Sequence, residues 1–298
     1  GENMKTSVVI VTKNRKDFLL RALDSVLNQT VKADEIVIVD DASDYNIESV
    51  ILDLDIENLK LIINPKSFGG AVARNIGAKA TTGNILMFLD DDDAWESEKI
   101  KIQVECFKND DTLALVYGGR KIVKDNNLDL VIRKSVSKKE GDLSKLIFEK
   151  NYIGITSSVA IKKEIFDMVD GFDKNLPCRQ DYDLWIRISQ HGNVKWDGEF
   201  SVIYTLFNNP FKQVSGRADK HEIAVNYLLK KYATDIAKLS FILRRKTISE
   251  KYFSVLKSYS RNNFIKSFIY ASKSFYYYPS IKALILLLPL KVLKKIGL

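Results

Sequence analysis

The chain has 298 residues, 46% of them hydrophobic and 28% charged, a balance that builds an ordinary buried core and excludes a disordered polymer. Its net charge of +8 is uneven: up to Phe211 there are 28 Lys and Arg against 34 Asp and Glu, and from Lys212 onward 18 against 4. The composition sets a boundary there, and residues 212–298 are expected to meet an anionic partner, whether membrane headgroups, nucleic acid or another protein.

Ser7–Val11 reads as a first strand, and Phe18, Leu19, Ala22, Leu23, Val26 and Leu27 then recur at helical spacing. Further apolar strands are expected at 35–39, 59–63 and 85–89. Strands apolar throughout are those covered by helices on both faces, so the first hundred residues predict a doubly wound α/β unit with a mostly parallel sheet. A strand pair is expected from Leu113 to Lys134, with turn signals at Gly118-Gly119 and Asn126-Asn127. A helix near Leu143–Phe148, a strand around Ser157–Ile161 and a helix carrying Leu184, Trp185 and Ile188 follow, the last entered through Arg179-Gln180-Asp181. Beyond Phe211 the pattern is helical and basic.

Ligands of such sheets bind at the carboxyl ends of the strands. Three polar clusters fall there: Thr12-Lys13-Asn14-Arg15, Asp40-Asp41-Ala42-Ser43, and Asp90-Asp91-Asp92-Asp93. Four adjacent aspartates raise one another's pKa unless a cation neutralises them, and their hard oxygens suit Mg²⁺ or Mn²⁺; the alternative is an acidic cap on a helix starting near Trp95. Asp40 and Asp41 suit a ribose or base, or else a helix cap with Ser43 or Asp44. Glycines 69 and 70 open a segment that puts Arg74 one helical turn in, within reach of a phosphate or of the aspartates. Asp181 begins a helix beside Trp185 and is a general-base candidate, with Asp183 as its competitor and helix capping as the alternative role.

Taken in order, Val11-Thr12-Lys13-Asn14-Arg15, Val39-Asp40-Asp41-Ala42-Ser43, Ala73-Arg74-Asn75-Ile76-Gly77, Phe88 to Asp93, and Gln180-Asp181-Tyr182-Asp183-Leu184-Trp185 resemble the family 2 glycosyltransferases of the GT-A fold over roughly residues 5–210. The resemblance implies a catalytic domain at 4–211, with a nucleotide-sugar half at 4–110 and an acceptor half at 111–211, and a basic helical extension at 212–298. It implies a nucleotide-sugar site drawing on Thr12, Asn14, Arg15, Asp40, Asp41, Arg74, Asp90 and Asp91. In it Thr12, Asp41 and Arg74 contact the nucleoside, Asp90 and Asp92 hold Mn²⁺ or Mg²⁺ with the diphosphate, and Asp181 is the base of an inverting transfer. The donor implied is a UDP-sugar, the acceptor a carbohydrate or lipid-linked hydroxyl, and the setting bacterial surface polysaccharide or glycoconjugate synthesis. The sequence departs from the family at Gln180, where many members have Glu, and at Tyr204-Thr205-Leu206-Phe207, where many have Tyr-Arg-x-His; His221 is a candidate replacement for the missing histidine.

A nucleotidyltransferase or dehydrogenase would carry a glycine-rich loop after the first strand, which Thr12 to Asp17 lack. A nucleic-acid-binding protein would use the basic tail and leave the acidic run without a purpose, so no nucleic acid is expected. The aromatic, leucine-rich and lysine-rich segment from Phe275 to Lys295 suits an interfacial anchor on anionic lipid or packing onto the catalytic domain or a second subunit. Its uncharged run is far short of the roughly 20 residues that span a bilayer. Cys106 and Cys178 are too few for a disulfide framework, and no secretory pattern is read at the start, so the expected location is cytoplasmic, peripheral on the inner face of the membrane if the anchor operates.

Overall fold

A computed structural model describes residues 4–52, 54, 56–209, 217–260 and 263–286 of the protein. It divides into a first unit of Gly1–Leu143, Tyr152–Lys174 and Gln180–Asn208, and a second of Ser144–Asn151, Asn175–Arg179 and Asn209–Leu298. The boundary expected at Phe211 lies outside the described residues.

The first unit opens with β1 (Thr6–Thr12), α1 (Lys16–Leu27), β2 (Glu35–Asp40), α2 (Ile47–Leu52), β3 (Leu59–Ile63), α3 (Gly70–Lys79) and β4 (Ile85–Asp90), the expected α/β alternation. Next come β5 (Ala94–Trp95), α4 (Lys99–Asn109), β6 (Leu113–Tyr117), β7 (Arg120–Lys124), β8 (Arg133–Ser135), β9 (Val159–Lys162), α5 (Lys163–Met168), α6 (Gln180–Ile188), β10 (Asn193–Trp196) and β11 (Val202–Leu206). The large sheet runs β10-β6-β9-β4-β1-β2-β3, with β9 antiparallel to β4 and β6 and the other pairs parallel. Val8, Val9, Ile10 and the whole of Ile36–Val39 are buried, each side chain contributing roughly 1.5–3 kcal/mol. β1 pairs with β2 and β4 so that Thr12 stands beside Asp40 and Val11 beside Asp90; three strand ends therefore finish at one level.

α3 lies close over this sheet because Gly77 has no side chain: a Cβ there would sit 2.4 Å from Val9 Cγ1 and 3.0 Å from Val39 Cγ2. A second sheet runs β5-β11-β7-β8. The strand pair expected over 113–134 is thus β7 with β8, whereas β6 joins the large sheet. Gly118-Gly119 is where the chain crosses between sheets, and a Cβ on Gly118 would strike Ser201 Oγ at 2.1 Å.

The second unit contains α7 (Ala218–Lys231), α8 (Ala233–Lys238), α9 (Phe241–Tyr259), α10 (Phe264–Tyr277) and α11 (Ile281–Ile285). The helix expected near Leu143–Phe148 is a single 3₁₀ turn, Leu146–Phe148. Ser240 caps α9, and Asn263 caps α10 by accepting from Lys266 N at 2.9 Å. Val225, Val255, Leu256, Tyr270, Ala271 and Ala283 form its core. Glu222 ties three helices together by accepting from Tyr259 Oη (2.5 Å), Tyr270 Oη (2.7 Å) and Lys266 Nζ (2.8 Å); although burial pushes its carboxyl up, these donors hold it at about 2. Of the run Ala283–Leu290 noted in the sequence, the part from 287 onward, with Lys291, Lys294 and Lys295, lies outside the described residues. No helix among the described residues is long and apolar enough to cross a membrane.

Candidate active site

The ends of β1 and β4 and the start of α3 bring together an arginine-balanced acidic cluster. Thr12 Oγ1 donates to Asp91 Oδ2 at 2.8 Å. Arg15 Nη1 donates to Asp91 Oδ1 at 3.0 Å and to Asp92 Oδ2 at 2.7 Å, and its guanidinium lies 5.2 Å from the Phe207 ring centre. Arg74 holds Asp90 through Nε (3.2 Å) and Nη2, with its other face 5.5 Å from the Phe172 ring centre. Asn75 keeps Arg74 in place from next door, its amide donating to the Phe172 carbonyl (2.8 Å) and accepting from the Phe172 N–H (2.9 Å).

The acidic run does not cap a helix. β5 follows it directly and α4 begins only at Lys99, with Glu98 at its N-cap, so the capping role weighed for these aspartates is not the one the fold uses. Asp93 is buried, accepting from Ser157 Oγ at 2.6 Å and Thr205 N at 3.1 Å; burial and then the charges of Asp92 and Asp90 push its carboxyl well up. Burial and Asp90 also push Asp92 up, to about 7, against the pull of Arg15. Burial raises Asp91, offset in part by Arg15 and by the Thr12 hydrogen bond. Asp90 and Asp92 each engage an arginine through one oxygen, and the excess negative charge around Asp92 favours a further cation. Among the described residues no group of three or more His, Cys, Asp or Glu is placed to hold a metal ion by itself. A hard divalent cation at this run would rest on Asp90 and Asp92 and would need phosphate oxygens and water to complete its shell.

At the neighbouring strand end the polar residues bind one another. Asn14, at a left-handed φ of 54°, donates through Nδ2 to Asp44 Oδ2 (2.8 Å) and accepts from Asp44 N (2.7 Å). Asp40 accepts from Ser43 Oγ at 2.5 Å and from Ser43 N at 3.2 Å. Asp41 accepts from Asn64 Nδ2, Ser67 Oγ and the N–H groups of Phe68 and Gly69, all at 2.7–2.9 Å. Burial pushes its carboxyl up, but these four donors outweigh that and hold it below its ordinary value. Asp41 thus shapes the loop that leads into α3.

Of the two base candidates on α6, Asp183 is fully buried and paired with Arg187 (Nε 3.0 Å, Nη2 2.7 Å), whose Nη1 also binds the Val169 carbonyl. Asp181 is partly exposed at the helix start, accepting from Tyr182 N at 2.7 Å. Its charge also bears on Arg74: burial lowers that guanidinium's pKa, while Asp90, then Asp181 and Asp92, raise it to a net increase. Trp185 is buried, with its indole N–H on the Gly154 carbonyl at 3.0 Å. His221 belongs to the second unit, where Arg179 Nε meets its Nδ1 at 3.2 Å.

Several site residues escape sequence reasoning. Arg21 reaches the Asp92 carbonyl (3.3 Å) and Thr205 Oγ1 (3.0 Å), Ser157 links Asp93 to the Asp90 N–H (3.1 Å), and Phe207 lies under Arg15. Arg21 could have been found as a lone arginine one turn past Asp17 on an otherwise amphipathic helix; Ser157 has no sequence signal.

A mostly parallel sheet with an arginine-balanced acidic run at its strand ends puts these polar residues where ligands of such sheets bind. The chain belongs to Glycosyl transferase family 2, whose model matches residues 7–169, more than half its length. It is 27% identical over 189 residues to the Escherichia coli UDP-Glc:alpha-D-GlcNAc-diphosphoundecaprenol beta-1,3-glucosyltransferase WfgD, covering 63% of this chain and 71% of that one. It is 28% identical over 200 residues to the Erwinia amylovora amylovoran biosynthesis glycosyltransferase AmsB, covering 64% and 66%. Among solved structures, S. aureus TarS 1-349 in complex with UDP-GlcNAc superposes with a TM-score of 0.58 at 15% identity, covering 99% of this chain and 92% of that one. The chain spans 55% of the longer TarS chain. This likeness establishes the GT-A fold expected from the sequence, and the protein is a glycosyltransferase by family.

Proposed function

We propose that the protein is an inverting glycosyltransferase that moves a sugar from a UDP-sugar to a hydroxyl of a carbohydrate or lipid-linked acceptor in surface polysaccharide synthesis. The reading is supported by the arginine-balanced run at the ends of β1 and β4, where Arg74 holds Asp90, together with the electrostatic influence of Asp181 on that same arginine within the first unit. A UDP donor is supported by the UDP-GlcNAc bound to TarS and the UDP-Glc in the name of WfgD, and a lipid-linked acceptor by the diphosphoundecaprenol in the latter.

In this mechanism Asp181 takes the proton of the acceptor hydroxyl, whose oxygen forms a bond to the anomeric carbon as the bond from that carbon to the diphosphate breaks. The electron pair leaves on the nucleoside diphosphate. Arg15 and Arg74 keep the aspartate run balanced and oriented, and Asp183, locked to Arg187, holds α6 in place. Mg²⁺ or Mn²⁺ held by Asp90 and Asp92 would supply charge neutralisation of the departing diphosphate. A thermal-shift panel of nucleotide sugars with and without Mn²⁺ tests the reading: a UDP-sugar should raise Tm only when the metal is present. Equal stabilisation by all nucleotides without metal contradicts it.

A further inference from the structure

The solvent side of α10 is more apolar than its packed side. Ser267, Tyr270, Ala271 and Ser274 are buried, whereas Phe264, Ile265, Phe268, Ile269, Phe275 and Tyr276 are exposed, with Phe264 at 72%, Ile265 at 73% and Tyr276 at 71%. At about 100° per residue the six exposed side chains fall on one arc of roughly 140°, opposite the buried four. The helix carries no acidic residue.

Cations border this stripe and interleave with aromatics. Arg245 donates to the Tyr276 carbonyl at 2.5 Å, and its guanidinium lies 5.9 Å from the Tyr276 ring centre and 5.6 Å from that of Phe241. Arg244 stands 5.9 Å from the Phe241 ring and Lys246 5.2 Å from that of Tyr278. Phe241 is itself 65% exposed. An exposed apolar face of this extent marks an interaction surface.

The chemistry of the face selects its partner. Nucleic acid would pair with the cations and leave Phe264, Ile265 and Phe268 in water. A second copy would set one region of 18 Lys and Arg against another like it, with only 4 acidic residues in each to offset them. An anionic bilayer takes both features together, the aromatic and aliphatic stripe at the headgroup–acyl boundary and the cations at phosphate level.

We propose that this face of the second unit binds the surface of an anionic lipid bilayer, lying on the membrane without crossing it. The inference stands on α9 and α10 alone and does not depend on the glycosyl-transfer reading.

Cosedimentation of the full chain with phosphatidylcholine vesicles, with and without phosphatidylglycerol, tests it. Binding is expected only to the anionic vesicles and weakens as salt rises. The pair Ile265→Ser and Phe268→Ser should weaken partitioning by at least about tenfold. Arg244→Gln with Lys246→Gln should do so by about tenfold, and both variants should keep the parent's circular dichroism. No binding to either vesicle, equal binding to both, or a soluble dimer broken by the same serine pair would each overturn the proposal.

Discussion

The Thr205 N–H donates to Asp93 Oδ1 at 3.1 Å, joining β11 to the acidic run across 112 residues of sequence. This is the segment where the sequence departs from the family at Tyr204-Thr205-Leu206-Phe207. Here it supplies a backbone donor to Asp93, a hydroxyl to Arg21 and an aromatic ring under Arg15. Asp93 is a buried acceptor through both oxygens, from Ser157 Oγ and Thr205 N, while burial and the neighbouring aspartates push its carboxyl up. Asp93→Ala strands the Ser157 hydroxyl and the Thr205 N–H and should cost about 2–3 kcal/mol, whereas Asp93→Asn, which keeps an acceptor, should cost less than about 1 kcal/mol. Urea denaturation of both variants measures the difference, and equal losses would show that the charge itself matters.

Asp41 is predicted to act on stability before chemistry. Both of its oxygens are occupied by four donors, so Asp41→Asn turns one acceptor into an amine facing N–H or O–H groups and should cost about 2 kcal/mol. Because the folded carboxyl lies below its ordinary value, its contribution is present above the unfolded pKa and fades as the pH falls through the folded one. The variant's stability deficit should therefore shrink in acid, as read by denaturation at neutral and acidic pH.

Lys99 is buried against the Trp95 ring at 4.4 Å and donates to Gln103 Oε1 at 2.6 Å; burial depresses its pKa to about 7. The unfolded lysine holds its proton to about pH 10.4, so between these values the unfolded state binds more protons and folding stability rises with pH. Lys99→Met should remove up to about 1.4 kcal/mol per pH unit of that slope. Lys251, buried in the second unit and also depressed to about 7, contributes in the same direction, so the variant is compared with the parent across the range.

Asp183 should prove structural. Asp183→Asn breaks a buried pair with Arg187 and should cost roughly 3 kcal/mol, lowering activity only through unfolding. Activity per folded molecule, measured well below the variant's Tm, should stay near that of the parent.

β1, β2 and β4 were legible because their runs are apolar on both faces, and the acidic run because its charge density has few other uses, whereas β10 was not read and β6 was placed in the wrong pair. What escaped depends on pairings with no local trace. The Asn75 clamp on Phe172 spans 97 residues, and Ser157 comes to Asp90 and Asp93 from a 3₁₀ turn read as the start of a strand. Trp95 reads as the start of a helix but forms β5 beside β11, because tertiary pairing outweighs local pattern over two residues. Composition likewise gave no sign that 144–151 and 175–179 pack with the helical unit.

Asp181 is proposed as the base, acting beside a diphosphate site on Asp90 and Asp92. Release of nucleoside diphosphate from a UDP-sugar in the presence of acceptor and Mn²⁺, compared between the parent and Asp181→Asn, tests it most directly, alongside nucleotide binding by calorimetry. Turnover should fall by at least about a hundredfold with metal-dependent UDP affinity unchanged. Turnover within a few-fold of the parent would contradict it.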